Sequence, residues 1–135
     1  MGNGRWFNRI RLEDGSVVGA DRLYLEPQPF AILGGVCDAG ESRALLRRID
    51  SDLRSNSPLG CRLYSAPPEG PVDDVMGMPL GECSNGGVWY SINHTVIAAA
   101  AEHAPAPAWD DILPSAPAHH ARPSPIPILR CRRTN

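Results

Sequence analysis

The residues best suited to chemistry lie together between Gly81 and Thr95, in the run GECSNGGVWYSINHT. Glu82, Asn85, Trp89 and Tyr90 gather a carboxylate, an amide and two aromatic rings around the pair Gly86-Gly87. Glycine admits backbone conformations that a Cβ disfavours, so the pair predicts a tight turn. After it, Trp89, Ile92, Val96 and Ala100 recur at spacings of three and four, which is one face of a helix. A turn leading into a helix start brings polar groups to unpaired N–H groups and to the positive end of a dipole. Such a place suits a polyhydroxylated or anionic ligand. The same residues also read as an ordinary helix entry with packed aromatics, and short motifs alone do not separate the two.

Other reactive side chains are less promising. Asp73-Asp74 would be a carboxylate pair, but adjacent side chains diverge, and both sit in a Pro/Gly-rich loop. His119-His120 is adjacent rather than one helical turn apart, so its spacing is poor for a metal. Cys37, Cys61, Cys83 and Cys131 are far apart and form no C-x-x-C pair, so they read as small apolar residues rather than zinc ligands. No metal or other cofactor is expected. Glu26 and Gln28 precede a short apolar stretch, where polar groups can face a cleft. Glu26 is read equally well as a charge placed for the helix dipole.

The chain has 135 residues, which suits one small domain or a piece of a larger one. Its net charge of −2 gives no electrostatic case for nucleic acid or an anionic membrane. All 13 basic residues are Arg, which with abundant Ala, Gly and Pro reflects GC-rich coding DNA rather than arginine-specific recognition. The start, MGNGRWFNRIRLEDG, lacks the apolar core of a signal peptide, and no run reaches membrane-spanning length. The expected compartment is the cytoplasm, and the sequon Asn93-His94-Thr95 is therefore a chance match.

Several elements must position the loop. Asp14-Gly15 between Arg5–Leu12 and Ser16-Val17-Val18 predicts a β-hairpin. A short buried helix is expected to start at Pro29 and run towards Val36. Asp38-Ala39-Gly40-Glu41 has the form of a capping box, followed by an amphipathic helix over about 41–54 with Leu45, Leu46, Ile49 and Leu53 in one stripe. Residues 57–60 read as a turn, 62–65 as extended chain, and 66–80 as a Pro-rich loop. The helix after the Gly pair ends near His103, and seven prolines then mark 105–135 as a loosely attached tail. The fold class is mainly α with a short hairpin. Its apolar faces lack mates within the chain, which predicts a fragment of a helical domain or self-association through those faces.

The order of pieces GRWFNRIRLEDGSVVG, LEPQPFAILGGV, a capped helix, SPLGCRLYSAPP and GECSNGGVWYSIN resembles the C-terminal catalytic region of glycoside hydrolase family 94. That family includes cellobiose and chitobiose phosphorylases and a domain of cyclic β-glucan synthases. The resemblance covers roughly residues 4–103, with a faint echo at Ala108-Trp109-Asp110-Asp111. Its specific parts are QPF-A-x-L-x-G and NGG-V-W, in this order and at this spacing. It implies an (α/α)6 barrel, of which residues 1–104 would be a part. It also implies an oligosaccharide or β-glucan ligand, with inorganic phosphate as a second one. The residues it places along the sugar cleft are Glu82, Asn85, Gly86, Gly87, Trp89 and Ser91.

The resemblance carries no catalytic residue into this chain. In the family an Asp protonates the leaving oxygen, as inverting sugar chemistry requires, and it lies upstream of the matched region. Ser84 stands where the family has Glu before Asn-Gly-Gly, with Glu82 two residues earlier. Ser91 stands where the family has a phosphate-holding His, and His94 is three residues further on. Phosphorolysis, hydrolysis and transfer on a β-glucosidic link all remain open on these residues. The isolated chain is expected to be inactive. The competing reading is a small non-catalytic helical module that binds a sugar or a protein through residues 81–91.

Overall fold

The computed structural model describes residues 4–55, 57–65, 79–103 and 105–112. These residues are mainly helical, with one short antiparallel hairpin. In the hairpin, β1 (Ile10–Arg11) pairs with β2 (Val17–Val18), with Ile10 opposite Val18 and Arg11 opposite Val17. The turn follows from Asp-Gly chemistry. The Asp14 carboxylate accepts from the Ser16 amide at 2.8 Å, and Gly15 takes a φ of +85° that a side chain would resist. Hydrogen bonds from Ser16 hold the Asp14 carboxyl below its usual pKa.

Helix α1 (Pro27–Leu33) begins two residues before the expected Pro29, so both prolines fall in its first turn, where a missing N–H costs little. It is not buried all round. Gln28, Pro29, Ala31 and Ile32 face inward, while Phe30 is 55% exposed. Gln28 faces no cleft. Its side chain accepts from the Phe7 amide at 2.9 Å and donates to the carbonyls of Phe7 at 2.8 Å and Tyr24 at 2.7 Å. This fully buried amide ties the N-terminal segment to α1, and burial forbids leaving its polar atoms unpaired. Glu26 forms a half-exposed ion pair with Arg9 at 3.0 Å.

Helix α2 (Ala39–Ile49) starts with the expected capping box. The Asp38 carboxylate accepts from the amides of Gly40 and Glu41, and the Glu41 carboxylate accepts from the Asp38 amide at 2.9 Å. A single π-helical turn, Asp50–Arg54, continues it. Leu45, Ile49 and Leu53 are buried, and Leu46 packs at the edge of the same cluster. Helix α3 (Tyr90–His103) lies against both α1 and α2. Helix α4 (Pro105–Ile112) packs on α3 with Ala108 buried, so these residues of the expected tail are ordered helix. Pro105 falls where helices tolerate proline, which is why the proline count misleads there.

Trp6, Leu23, Leu25, Ile32, Leu45, Ile49, Leu53, Cys61, Val96 and Ala99 form one continuous buried cluster. Phe30, Val36 and Leu80 stay largely exposed around it. Among the described residues, no helix is long and apolar enough to cross a membrane.

Candidate functional site

The loop before α3 is built on a narrow ribbon of backbone. The Leu25 amide donates to the Leu63 carbonyl at 2.8 Å, and the Leu63 amide donates to the Gly87 carbonyl at 3.0 Å. Three segments distant in sequence are thereby laid side by side. Tyr24 and Tyr64 pair at the edge of this ribbon, with ring centroids 5.5 Å apart.

The loop closes on itself. The Gly81 amide donates to the Asn85 carbonyl at 2.7 Å, and the Asn85 amide donates to the Glu82 carbonyl at 2.8 Å. Gly86 has a φ of +78°, and a Cβ there would stand 3.2 Å from the Tyr64 ring. A Cβ on Gly87 would meet the Cys83 carbonyl oxygen at 2.7 Å. The positive φ favours glycine at position 86 and close backbone approach requires it at 87, within the tight turn that the pair predicted. Cys83 itself takes a φ of +43°, uncommon for a residue with a side chain.

Asn85, Gly86 and Gly87 are buried and form the base of the loop. The Asn85 side chain accepts a hydrogen bond from the Tyr64 hydroxyl. Glu82 and Ser91 are exposed. The Trp89 indole N–H donates to the Cys83 carbonyl at 2.9 Å, while 40% of the residue stays open to solvent. An indole anchored by its edge with part of its surface open can stack against the apolar face of a ring. Trp89 is thus not the first buried residue of α3. The inward positions are Asn93, Val96 and Ala99.

Asn93 is the residue the spacing did not single out. It is 4% exposed, donates to the carbonyls of Cys61 and Trp89 at 3.0 Å each, and accepts from the Cys61 amide at 2.7 Å. It clamps the first turn of α3 to the ribbon and so fixes where Trp89 emerges. Its place within an otherwise apolar stripe was the available signal. An amide engaged in this way is closed to glycosylation in the folded chain. Tyr64 was also missed, because its hydroxyl partner lies 21 residues away.

Cavities are present among the described residues. One of about 560 Å³ is bounded by Trp6, Phe7, Leu45 and Arg48, and one of about 350 Å³ by Arg54, Pro58, Cys61 and Asn93. Among the described residues, no three His, Cys, Asp or Glu side chains gather as a metal site. Cys37, Cys61 and Cys83 form no disulfide, with Cys61 buried and Cys83 exposed. Burial, with Glu41 and Asp38 nearby, pushes the Cys37 thiol pKa up. Asp73-Asp74, His119-His120 and Cys131 lie outside the described residues. No protein-family model matches the chain, and no curated protein matches it either.

Proposed function

We propose that the chain is part of a carbohydrate-active enzyme of the glycoside hydrolase family 94 type, and that residues 81–91 contact a β-linked glucan. In this reading residues 1–104 are a fragment of an (α/α)6 barrel located in the cytoplasm. Glu82 and Ser91 offer hydrogen bonds to sugar hydroxyls, Trp89 stacks on a sugar face, and buried Asn85-Gly86-Gly87 holds the loop. With Ser91 where the family has its phosphate-holding His, the parent reaction is left open between phosphorolysis, hydrolysis and transfer, and phosphate is a second ligand only under the first. The observation that carries the reading is the ribbon Leu25–Leu63–Gly87. Three of the segments named in the resemblance, of which those of Leu25 and Gly87 adjoin or contain its two specific motifs, are hydrogen-bonded neighbours.

No residue of the chain takes the general-acid role, so cleavage by the isolated chain is expected to be nil. Calorimetric titration with cellotetraose tests the binding half of the proposal. The wild-type chain should bind and Trp89→Ala should not. Equal affinity in the two proteins, or release of glucose 1-phosphate from cellobiose and phosphate, would sink the proposal.

A second reading is supported by the single continuous core, with Leu23 and Leu25 fully buried. A chain with its own core can be an autonomous, non-catalytic module that binds a sugar or a protein. A cooperative thermal transition of a monomer favours the module. Aggregation through exposed Phe30, Val36 and Leu80 favours the fragment.

A further inference from the structure

We propose that Tyr64 is a positioning residue for the 81–91 loop, setting its outer face without touching the ligand. Tyr64 is 6% exposed and stands behind the loop rather than on it. It meets the loop twice. Its hydroxyl donates to the buried Asn85 side chain, and its ring is the wall against which Gly86 closes, only 3.2 Å from where a Cβ on that glycine would stand. The ring is itself braced, by the tilted Tyr24 ring at 5.5 Å and by the Arg22 guanidinium 5.2 Å from its centroid. Arg9 lies 4.9 Å over the other member of that pair, Tyr24. A brace therefore runs from the hairpin side through two rings to Asn85.

The consequence reaches Trp89 through the loop backbone. Asn85 fixes Gly81 and Glu82 by backbone hydrogen bonds, and the next residue, Cys83, supplies the carbonyl that holds the indole N–H. Removing the Tyr64 hydroxyl takes away a polar partner of Asn85 inside the protein, where replacement by water is hindered. The loop should then open locally more often, while the core around Trp6 does not.

Two indoles make this testable within one molecule. Trp6 donates to the Gly19 carbonyl at 2.7 Å, and Trp89 donates to the Cys83 carbonyl at 2.9 Å. In Tyr64→Phe, hydrogen exchange of the Trp89 indole N–H should accelerate about tenfold, with the Trp6 indole N–H unchanged. Asn85→Ala, which removes the acceptor and keeps the ring, should give the same selective pattern if Tyr64→Phe folds poorly. Equal acceleration of both indoles, or of neither, would overturn the proposal. The affinity consequence rests on the sugar reading above: cellotetraose should bind Tyr64→Phe about tenfold more weakly than wild type. If wild type does not bind cellotetraose while the Trp89 indole alone loosens, the sugar reading fails and the positioning role stands.

Discussion

Trp6 and Trp89 make the same hydrogen bond, from an indole N–H to a backbone carbonyl, in opposite surroundings. Trp6 is 7% exposed, with the Arg5 and Arg48 guanidiniums 4.8 and 5.4 Å from its ring, and it belongs to the core. Trp89 is 40% exposed and belongs to a loop. The polar anchor cannot tell a structural tryptophan from one available for binding. What separates them is the remaining surface: Trp6 has almost none open to solvent, and Trp89 has much more.

Substitutions sharpen that contrast, beginning with the largest. Trp6→Ala should lower unfolding free energy by about 4 kcal/mol, the range for emptying an aromatic core site. A urea titration would read this as a large drop in midpoint. Asn93→Ala should cost about 3 kcal/mol, because it removes a buried hydrogen-bond partner of both the amide and the carbonyl of Cys61. A loss well under 1 kcal/mol in the same titration would mean that the Cys61 groups find other partners. Trp89→Ala should cost only about 2 kcal/mol, since its buried area is smaller. A loss equal to that of Trp6→Ala would erase the difference between the two sites. The smallest effect, about 1 kcal/mol, belongs to Asp38→Ala, which opens the exposed capping box. A lowered thermal midpoint with unchanged Trp89 indole exchange would show that this end of the molecule is independent of the loop.

The local features were the legible ones. Asp14-Gly15 and Asp38-x-x-Glu41 act through bonds within a few residues, so their sequences announce the turn and the cap. The Gly86-Gly87 turn was legible for the same reason, and both residues prove to lie against neighbouring atoms. Long-range partners were not legible. Nothing near Asn93 in sequence points to Cys61, 32 residues earlier, and nothing near Gln28 points to Phe7. Gln28 looks like a polar residue that can face a cleft and Asn93 like part of a sequon, yet each is engaged by backbone groups. Helix α4 was missed because prolines were counted without regard to their place in a first turn. In the loop itself, residue types marked the region, while the division between base and outer face depends on Tyr64 and the ribbon beneath it.

The most direct measurement is a two-dimensional NMR titration of the labelled chain with cellotetraose, following the assigned indole N–H signals. The Trp89 signal should move in a saturable way while the Trp6 signal stays in place. A folded chain in which neither signal moves, or in which Trp6 moves and Trp89 does not, would contradict the sugar reading.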